Sequence, residues 1–462
     1  MNSFSPELQH HLSGRFLLQS EIPFSEKELD QHIAQGFVSE KPGILPFKKS
    51  WKCSRCSNTN PQLFAAFPCA RCGGKLCTYC RNCIMMGRVS SCTPLFTWTG
   101  PEPAISCGLH PLQWEGALSD GQLHASSQVI QAIRTKTTLL VWAVCGAGKT
   151  EVLFAGINKA LEKGLRVCIA TPRTDVVLEL APRFRKVFPG VPVAALYGGS
   201  EDRHHFAPLT IATTHQLYRF EDAFDLVIVD EVDAFPFTMD QTLQAAVEKA
   251  AKPHSARCFL TATPNRKWQQ ECRSGKLSFV TIPARFHRYP LPVPECTWCG
   301  NWKKHFEKKR LPSGITKWVE IRIQAGKQAL IFLPNIKLMQ KAMPIFQAIG
   351  DVIMDSVHAG DPDRKAKVEK MRSKETQILL TTTILERGVT FPNIDVAVVG
   401  AEDPIFTEAA LVQIAGRVGR SADFPAGAIT LFHYGKTSAM LKSIRHITSM
   451  NTEAKKRGLI HG

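Results

Sequence analysis

From about residue 115 onward, short uninterrupted apolar runs recur along the chain, with amphipathic stretches between them. The first set comprises Leu139–Val144, Arg166–Ala170, Val193–Leu196, Leu209–Ala212, Leu226–Val229 and Cys258–Leu260. Runs of Val, Ile and Leu spaced in this way predict strands buried on both faces of a parallel sheet. A second set follows at Ala329–Leu333, Val352–Met354, Ile378–Leu380, Val396–Val399 and Ala428–Leu431. The pattern therefore predicts two α/β sheets in tandem, one over residues 116–284 and one over 311–440. The Pro- and Lys-bearing passage 285–310 reads as the linker between them, and 441–462 as a basic terminal helix with a loose end. Upstream, 1–48 is a lead-in without an assignable task. Residues 49–92 hold a cysteine cluster, and 93–115, rich in turn formers, reads as a connector.

Composition narrows the class. No run approaches the about 20 apolar residues of a membrane span. The segment Met1–Gln19 lacks the apolar core of a secretion signal. These features predict a cytoplasmic protein. A formal net charge of +17 points to a polyanionic partner, nucleic acid before anionic lipid.

The chemistry begins at Ala143-Val-Cys-Gly-Ala-Gly-Lys-Thr150, which follows one expected strand and precedes a helix. That setting is what a phosphate loop requires. Backbone amides of Ala143, Val144, Cys145, Gly146, Ala147 and Gly148 would approach the phosphates, aided by the positive end of the helix. Lys149 would reach the β- and γ-phosphates, and the Thr150 hydroxyl would ligate Mg²⁺. About eighty residues on, Asp230-Glu-Val-Asp233 ends an apolar run, at the sheet edge where open α/β sheets bind ligands. Asp230 would hold Mg²⁺ and Glu231 would polarise the attacking water. In the second sheet, Gln413-Ile-Ala-Gly-Arg-Val-Gly-Arg420 sets Arg417 and Arg420 three apart on one helical face. Both are candidate finger arginines, with Gln413 beside them.

With these motifs in view, the sequence resembles the superfamily 2 helicases over about Leu118 to His433. Further segments match in order: Leu118-Ser-Asp-Gly-Gln122, Thr171-Pro-Arg173, Thr213-Thr-His-Gln216, Thr261-Ala-Thr263 and Thr381-Thr-Thr-Ile-Leu-Glu-Arg-Gly388. The resemblance implies two RecA-like P-loop NTPase domains binding ATP and Mg²⁺. It implies an adenine contact at Gln122 and a nucleotide contact at Gly388. It also implies nucleic-acid contacts at Pro172, Arg173, Thr214, His215 and Thr382. Within that superfamily the chain is similar to the ComFA family of competence proteins. The stretches carrying that likeness are Trp142–Glu151, Ala170–Arg183, Asp230–Pro236, Thr381–Val389, Tyr79–Arg88 and Trp298–Trp302. This likeness implies a single-stranded-DNA-dependent ATPase at the inner face of the cytoplasmic membrane. It would be peripheral there, taking up transforming DNA beside ComFC, DprA and the uptake channel. It leaves oligomerisation open.

Seven cysteines lie between Cys53 and Cys83. In a reducing cytosol paired Cys-x-x-Cys units predict zinc before disulfides. Cys53 and Cys56 form one pair, and two others compete to complete the four thiolates: Cys69 with Cys72, or Cys80 with Cys83. Twelve residues between Cys56 and Cys69 is an ordinary zinc-ribbon spacing. The family likeness favours Cys80 and Cys83. A second, interleaved zinc at Cys69, Cys72 and Cys77 would need Cys92 or a non-cysteine ligand. Cys296 and Cys299 read as packing. Two rival readings are a replication-restart or repair helicase with a zinc module, and a non-catalytic zinc and DNA scaffold. The first rival carries its cysteines after the first lobe's motifs, and the second leaves Lys149, Asp230, Glu231, Gln413, Arg417 and Arg420 without a use.

Overall fold

The computed structural model describes residues 4–108 and 110–461. The first apolar set builds a seven-stranded sheet whose every pairing is parallel. Its order is Val193–Leu196, Leu209–Thr213, Val167–Thr171, Phe224–Val229, Ala251–Thr261, Thr138–Ala143 and Ser278–Ile282. Helices Asp120–Thr135, Lys149–Glu162, Thr174–Val187 and Gln241–Ala250 cover it. Val167–Thr171 and Leu209–Thr213 are buried throughout, which is why they read as unbroken apolar runs. Ser278–Ile282 was not anticipated. It is an edge strand with Ser278 and Phe279 exposed, and Ser278 and Thr281 break its apolar run.

Two strand ends decide where chemistry can occur. Thr138–Ala143 runs into the glycine loop and Phe224–Val229 into Asp230, and Ala251–Thr261 lies between them. Three motifs therefore emerge side by side at one carboxyl edge of the sheet.

The second sheet has six parallel strands in the order Glu295–Trp298, Ile429–His433, Ile394–Val399, Gln328–Phe332, Ile378–Thr381 and Met354–Val357. Its first strand comes from the passage expected to be linker. Glu295–Trp298 pairs with Ile429–His433, and Trp302 and Phe306 of the next helix are buried in this lobe's core. The Pro- and Lys-rich composition masked that strand. Met354–Val357 also lies later than its expected Val352–Met354 position.

The two ends of the chain are more integrated than their sequences suggest. Leu17–Leu18, Pro94–Trp98 and Val38–Pro42 form an antiparallel sheet, so the lead-in and the start of the connector make one unit. Two hairpins, Ile44–Phe47 with Ser50–Cys53 and Phe64–Pro68 with Leu76–Cys80, carry the cysteines out of it. At the other end, helix Ser438–Lys456 is no loose tail. Asn451 exchanges hydrogen bonds with Leu291 at 2.8 and 2.9 Å, and Arg288 Nη2 donates to the Gly458 carbonyl at 2.7 Å. Its closing turn thus reaches back to the junction between the lobes.

Candidate ATP site and cysteine centres

The glycine loop is shaped by two left-handed residues, Gly146 (φ 79°) and Gly148 (φ 69°), a region costly for other side chains. A Cβ on Gly148 would also collide with the Gln122 amide. Helix Lys149–Glu162 starts directly behind, so its free amides face the loop. Lys149 Nζ lies 3.8 Å from Asp230 Oδ1. Burial works against the lysine's charge, yet the carboxylates of Asp230, Glu231 and Asp233 outweigh it and hold the ammonium above its ordinary range. Burial also pushes the Asp230 carboxyl up, against the pull of Lys149. A largely buried carboxylate with that tendency, lining the same cleft as Thr150, fits a hard cation such as Mg²⁺. Glu231 adopts φ 55°, an unusual conformation for glutamate.

This edge opens into a cleft of about 830 Å³ whose far wall belongs to the second lobe. Cys145, Gly146, Ala147, Gly148, Lys149, Thr150, Asp230 and Glu231 line one side, and Gly388, Gln413, Arg417 and Arg420 the other. The two candidate arginines differ in state. Arg417 is spent on its own lobe, its Nε donating to the Glu386 carbonyl at 2.9 Å and its Nη1 to the Val389 carbonyl. Arg420 donates Nε to the Gly416 carbonyl at 2.8 Å and Nη1 to Thr390 Oγ1 at 3.1 Å. Its Nη2 has no protein acceptor among the described residues. Burial lowers both guanidiniums, Arg417 well below its ordinary value, so an anion between the lobes would relieve both.

Ala143 and Val144, expected to offer amides to phosphate, are buried at the strand end outside the cleft lining, and the Val144 amide already donates to the Ile282 carbonyl at 3.0 Å. Gln122 does not line the cleft: its Nε2 donates to the Ala147 carbonyl at 2.9 Å, and its Oε1 caps the helix at Ser119. A separate pocket of about 270 Å³ includes its neighbours Leu118, Ser119 and Gly121, with Phe286 and Arg288.

Two arginines that were not anticipated tie the lobes together. Arg387, from the second lobe, is 2% exposed. It pairs with Asp233 Oδ2 at 2.6 Å and Glu231 Oε2 at 3.4 Å across the cleft. Asp233 also accepts from Thr263 Oγ1 at 2.7 Å and Gln413 Nε2 at 3.3 Å. Arg285 is buried at the linker and joins the phosphate loop to the Gln413–Arg420 segment. It donates to the carbonyls of Cys145 at 3.0 Å, Val418 at 2.7 Å and Gly416 at 3.2 Å, and also to that of Gly419. Arg387 and Asp233 lie inside motifs already legible as chemistry. Arg285 belongs to none and had no signal.

The residues expected to meet nucleic acid divide. His215 is exposed and Thr382 half-buried, both open to a ligand. Pro172 and Thr214 are buried, and the Thr214 hydroxyl lacks any partner among the described residues. Arg173 is held bidentately by Asp175, at 3.0 and 2.6 Å, with Arg364 of the second lobe 3.6 Å from the same carboxylate. A strand would have to draw it away from Asp175.

The cysteines fall into two groups of four: Cys53, Cys56, Cys80 and Cys83, and Cys69, Cys72, Cys77 and Cys92. In the first group Sγ–Sγ separations are 3.8 Å for Cys53–Cys83 and 3.6 Å for Cys56–Cys80. Sulfurs about 2.3 Å from a tetrahedral zinc stand about 3.8 Å apart, whereas a disulfide bond is about 2.0 Å long. All four are buried against lobe one, sharing a core with Phe220, Phe224, Leu243 and Val247. Arg55 is fully buried here and donates to the carbonyls of Cys83 and Met86, each at 2.9 Å, and of Gly87. Cys80 and Cys83, not Cys69 and Cys72, thus stand with Cys53 and Cys56. Among the described residues Cys296 and Cys299 join no such group.

Comparison with known proteins places this arrangement. Residues 2–97 match the model of the Competence protein ComFA N-terminal domain. Residues 115–266 match the Type III restriction enzyme res subunit, and 313–422 the Helicase conserved C-terminal domain. Competence protein ComFA of Bacillus subtilis (strain 168) is 48% identical over 98% of this chain and 97% of that protein. The chain belongs to the ComFA family.

The ComFA protein of Streptococcus pneumoniae (strain ATCC BAA-255 / R6) is 36% identical over 96% of this chain and 98% of its own. Among solved structures, RecG bound to a three-way DNA junction aligns at a TM-score of 0.51 and 18% identity, over 74% of this chain and 47% of that one. S. cerevisiae Dbp5 bound to RNA and ADP BeF3 aligns at 0.50 and 12%, over 74% and 96%. At those identities the likeness is one of fold: two tandem RecA-like domains. This ComFA-family chain is therefore a competence-associated, ATP-hydrolysing enzyme of helicase type. Among the described residues no helix is long and apolar enough to cross a membrane.

Proposed function

We propose that the chain is a single-stranded-DNA-dependent ATPase that translocates along one strand and drives uptake of transforming DNA during competence. The observation that carries this reading is the cleft, where Lys149, Asp230 and Glu231 on one lobe face Gln413 and Arg420 on the other. ATP would enter with its phosphates on the loop amides and Lys149, its γ-phosphate directed toward Arg420. Thr150 and Asp230 would hold Mg²⁺, which supplies charge neutralisation on the phosphates. Glu231 would orient the attacking water and receive its proton. Arg417 then acts as a positioning residue, bracing the Glu386–Val389 turn. Hydrolysis would convert the γ-phosphate to inorganic phosphate, and release of that anion from between the lobes would loosen the grip and reset the contacts around His215 and Thr382.

Cys53, Cys56, Cys80 and Cys83 would bind one zinc as a closed structural site that fixes the N-terminal unit to lobe one. Work at the inner face of the cytoplasmic membrane, beside ComFC, DprA and the uptake channel, is supported by family membership.

The test is ATP turnover with and without single-stranded DNA. Turnover is expected to rise on adding DNA, with no strong sequence preference, and the affinity to fall steeply with salt because phosphate contacts dominate. Equal turnover with and without DNA would refute the reading.

A further inference from the structure

The second group of cysteines lies outside the site that binds the N-terminal unit to lobe one. Cys69 caps and Cys72 closes the short helical turn Ala70–Cys72, which ends on the left-handed Gly73 and is followed by the left-handed Gly74. This tight loop lifts Cys69 and Cys72 to one side of the hairpin Phe64–Pro68 with Leu76–Cys80. Cys77 comes from the returning strand, and Cys92 from the segment beyond, linked to Ser90 through a hydroxyl–thiol contact of 3.5 Å. Cys69 Sγ and Cys92 Sγ are 3.6 Å apart, and Cys72 Sγ and Cys77 Sγ 3.3 Å. All four sulfurs lie within 4.8 Å of one another. These separations bracket neither a disulfide nor four unrelated thiols, but they suit four thiolates around one tetrahedral ion.

We infer that Cys69, Cys72, Cys77 and Cys92 form a second zinc site, so that the chain binds two zinc ions in interleaved order. The inference shares with the proposed function the reading of the first group as a zinc site, and the two are separable by experiment. The strand Leu76–Cys80 serves both centres, presenting Cys77 to the outer and Cys80 to the inner. The fourth outer ligand, Cys92, stands alone in the sequence, with no Cys-x-x-Cys partner to betray it. The two sites differ in setting. All four inner cysteines are buried and share a core with lobe one, whereas Cys72 and Cys92 are only partly buried and no outer cysteine belongs to that core. The outer ion should therefore exchange faster and matter less to the stability of the ATPase lobes.

The experiment is zinc stoichiometry by elemental analysis of the full-length protein, with release followed by a chromogenic chelator. Wild type is expected to hold two zinc ions per chain and to release them in two phases. Cys69→Ser with Cys92→Ser should hold one, lose the fast phase and keep the melting temperature of the ATPase lobes. Cys53→Ser with Cys83→Ser provides the second arm and should lose the slow phase. One zinc per wild-type chain, unchanged in the Cys69→Ser, Cys92→Ser variant, would overturn the inference. A count that falls only in that variant, and not in the Cys53→Ser, Cys83→Ser one, would instead overturn the inner site. Should the inner variant not fold, the count and release phases of the outer variant still decide the outer site.

Discussion

Lys149→Ala is expected to lower ATP turnover by at least about 10²–10³-fold, the scale for removing one preorganised charge from a reacting phosphate group. The lysine stands behind the left-handed Gly148 at the start of its helix, and Arg183, another lobe-one cation of the cleft, is paired with Glu151. The ion-pair contact of Lys149 is with Asp230, at 3.8 Å. Without the ammonium, burial pushes the Asp230 carboxyl up against only the backbone hydrogen bond from Glu231, so the cation-binding group also becomes weaker. Single-stranded DNA binding should persist, because His215 and Thr382 lie outside the cleft. Steady-state ATP hydrolysis and fluorescence anisotropy on a labelled strand check the two halves. Turnover near wild type would remove the glycine loop from the chemistry.

Arg387→Ala should also have a large effect. The guanidinium is enclosed between Asp233 and Glu231, which hold it firmly protonated against the cost of burial. Removing one partner of a buried pair costs about 3–5 kcal/mol, because the remaining charge stays desolvated. Asp233 would be left with Thr263 and Gln413 alone. Since the pair spans the lobes, that cost falls on the closed arrangement, and about 1.4 kcal/mol is a factor of ten in population. A fall of about 10²–10³-fold in turnover follows, with nucleotide affinity for lobe one much less affected. Arg387→Lys should recover only part of the loss, since one ammonium cannot reproduce a planar fork between two carboxylates. Separate measurement of kcat and of nucleotide affinity tests this. A variant that lost affinity with kcat intact would contradict an interlobe role.

The sequence made the two sheets and the cleft walls legible for a physical reason. Strands buried on both faces must be continuously apolar, and phosphate chemistry restricts residue types at fixed offsets from strand ends. Where those constraints relax, legibility fails. Ser278–Ile282 and Glu295–Trp298 are half-exposed edge strands that mix polar and apolar residues, so no unbroken apolar run separated them from linker. The lead-in strands pair with residues more than fifty positions away, a contact no local pattern reveals. Arg285 works through backbone carbonyls, whose positions depend on the tertiary fold and not on neighbouring side chains. The glycine-loop residues, Asp230, Glu231, Gln413, Arg417 and Arg420 come together at the cleft. Gln122 and Arg173 are instead occupied by Ala147 and Asp175, contacts that a ligand would have to displace.

The most direct measurement is single-turnover ATP hydrolysis by Arg420→Ala, with ATP affinity measured in parallel. If nucleotide is clasped between the lobes, the rate should drop by about 10³-fold or more, as for other finger arginines, while affinity changes little. Hydrolysis at the wild-type rate would mean that the second lobe contributes no charge to the reaction, and the account of the cleft would fail.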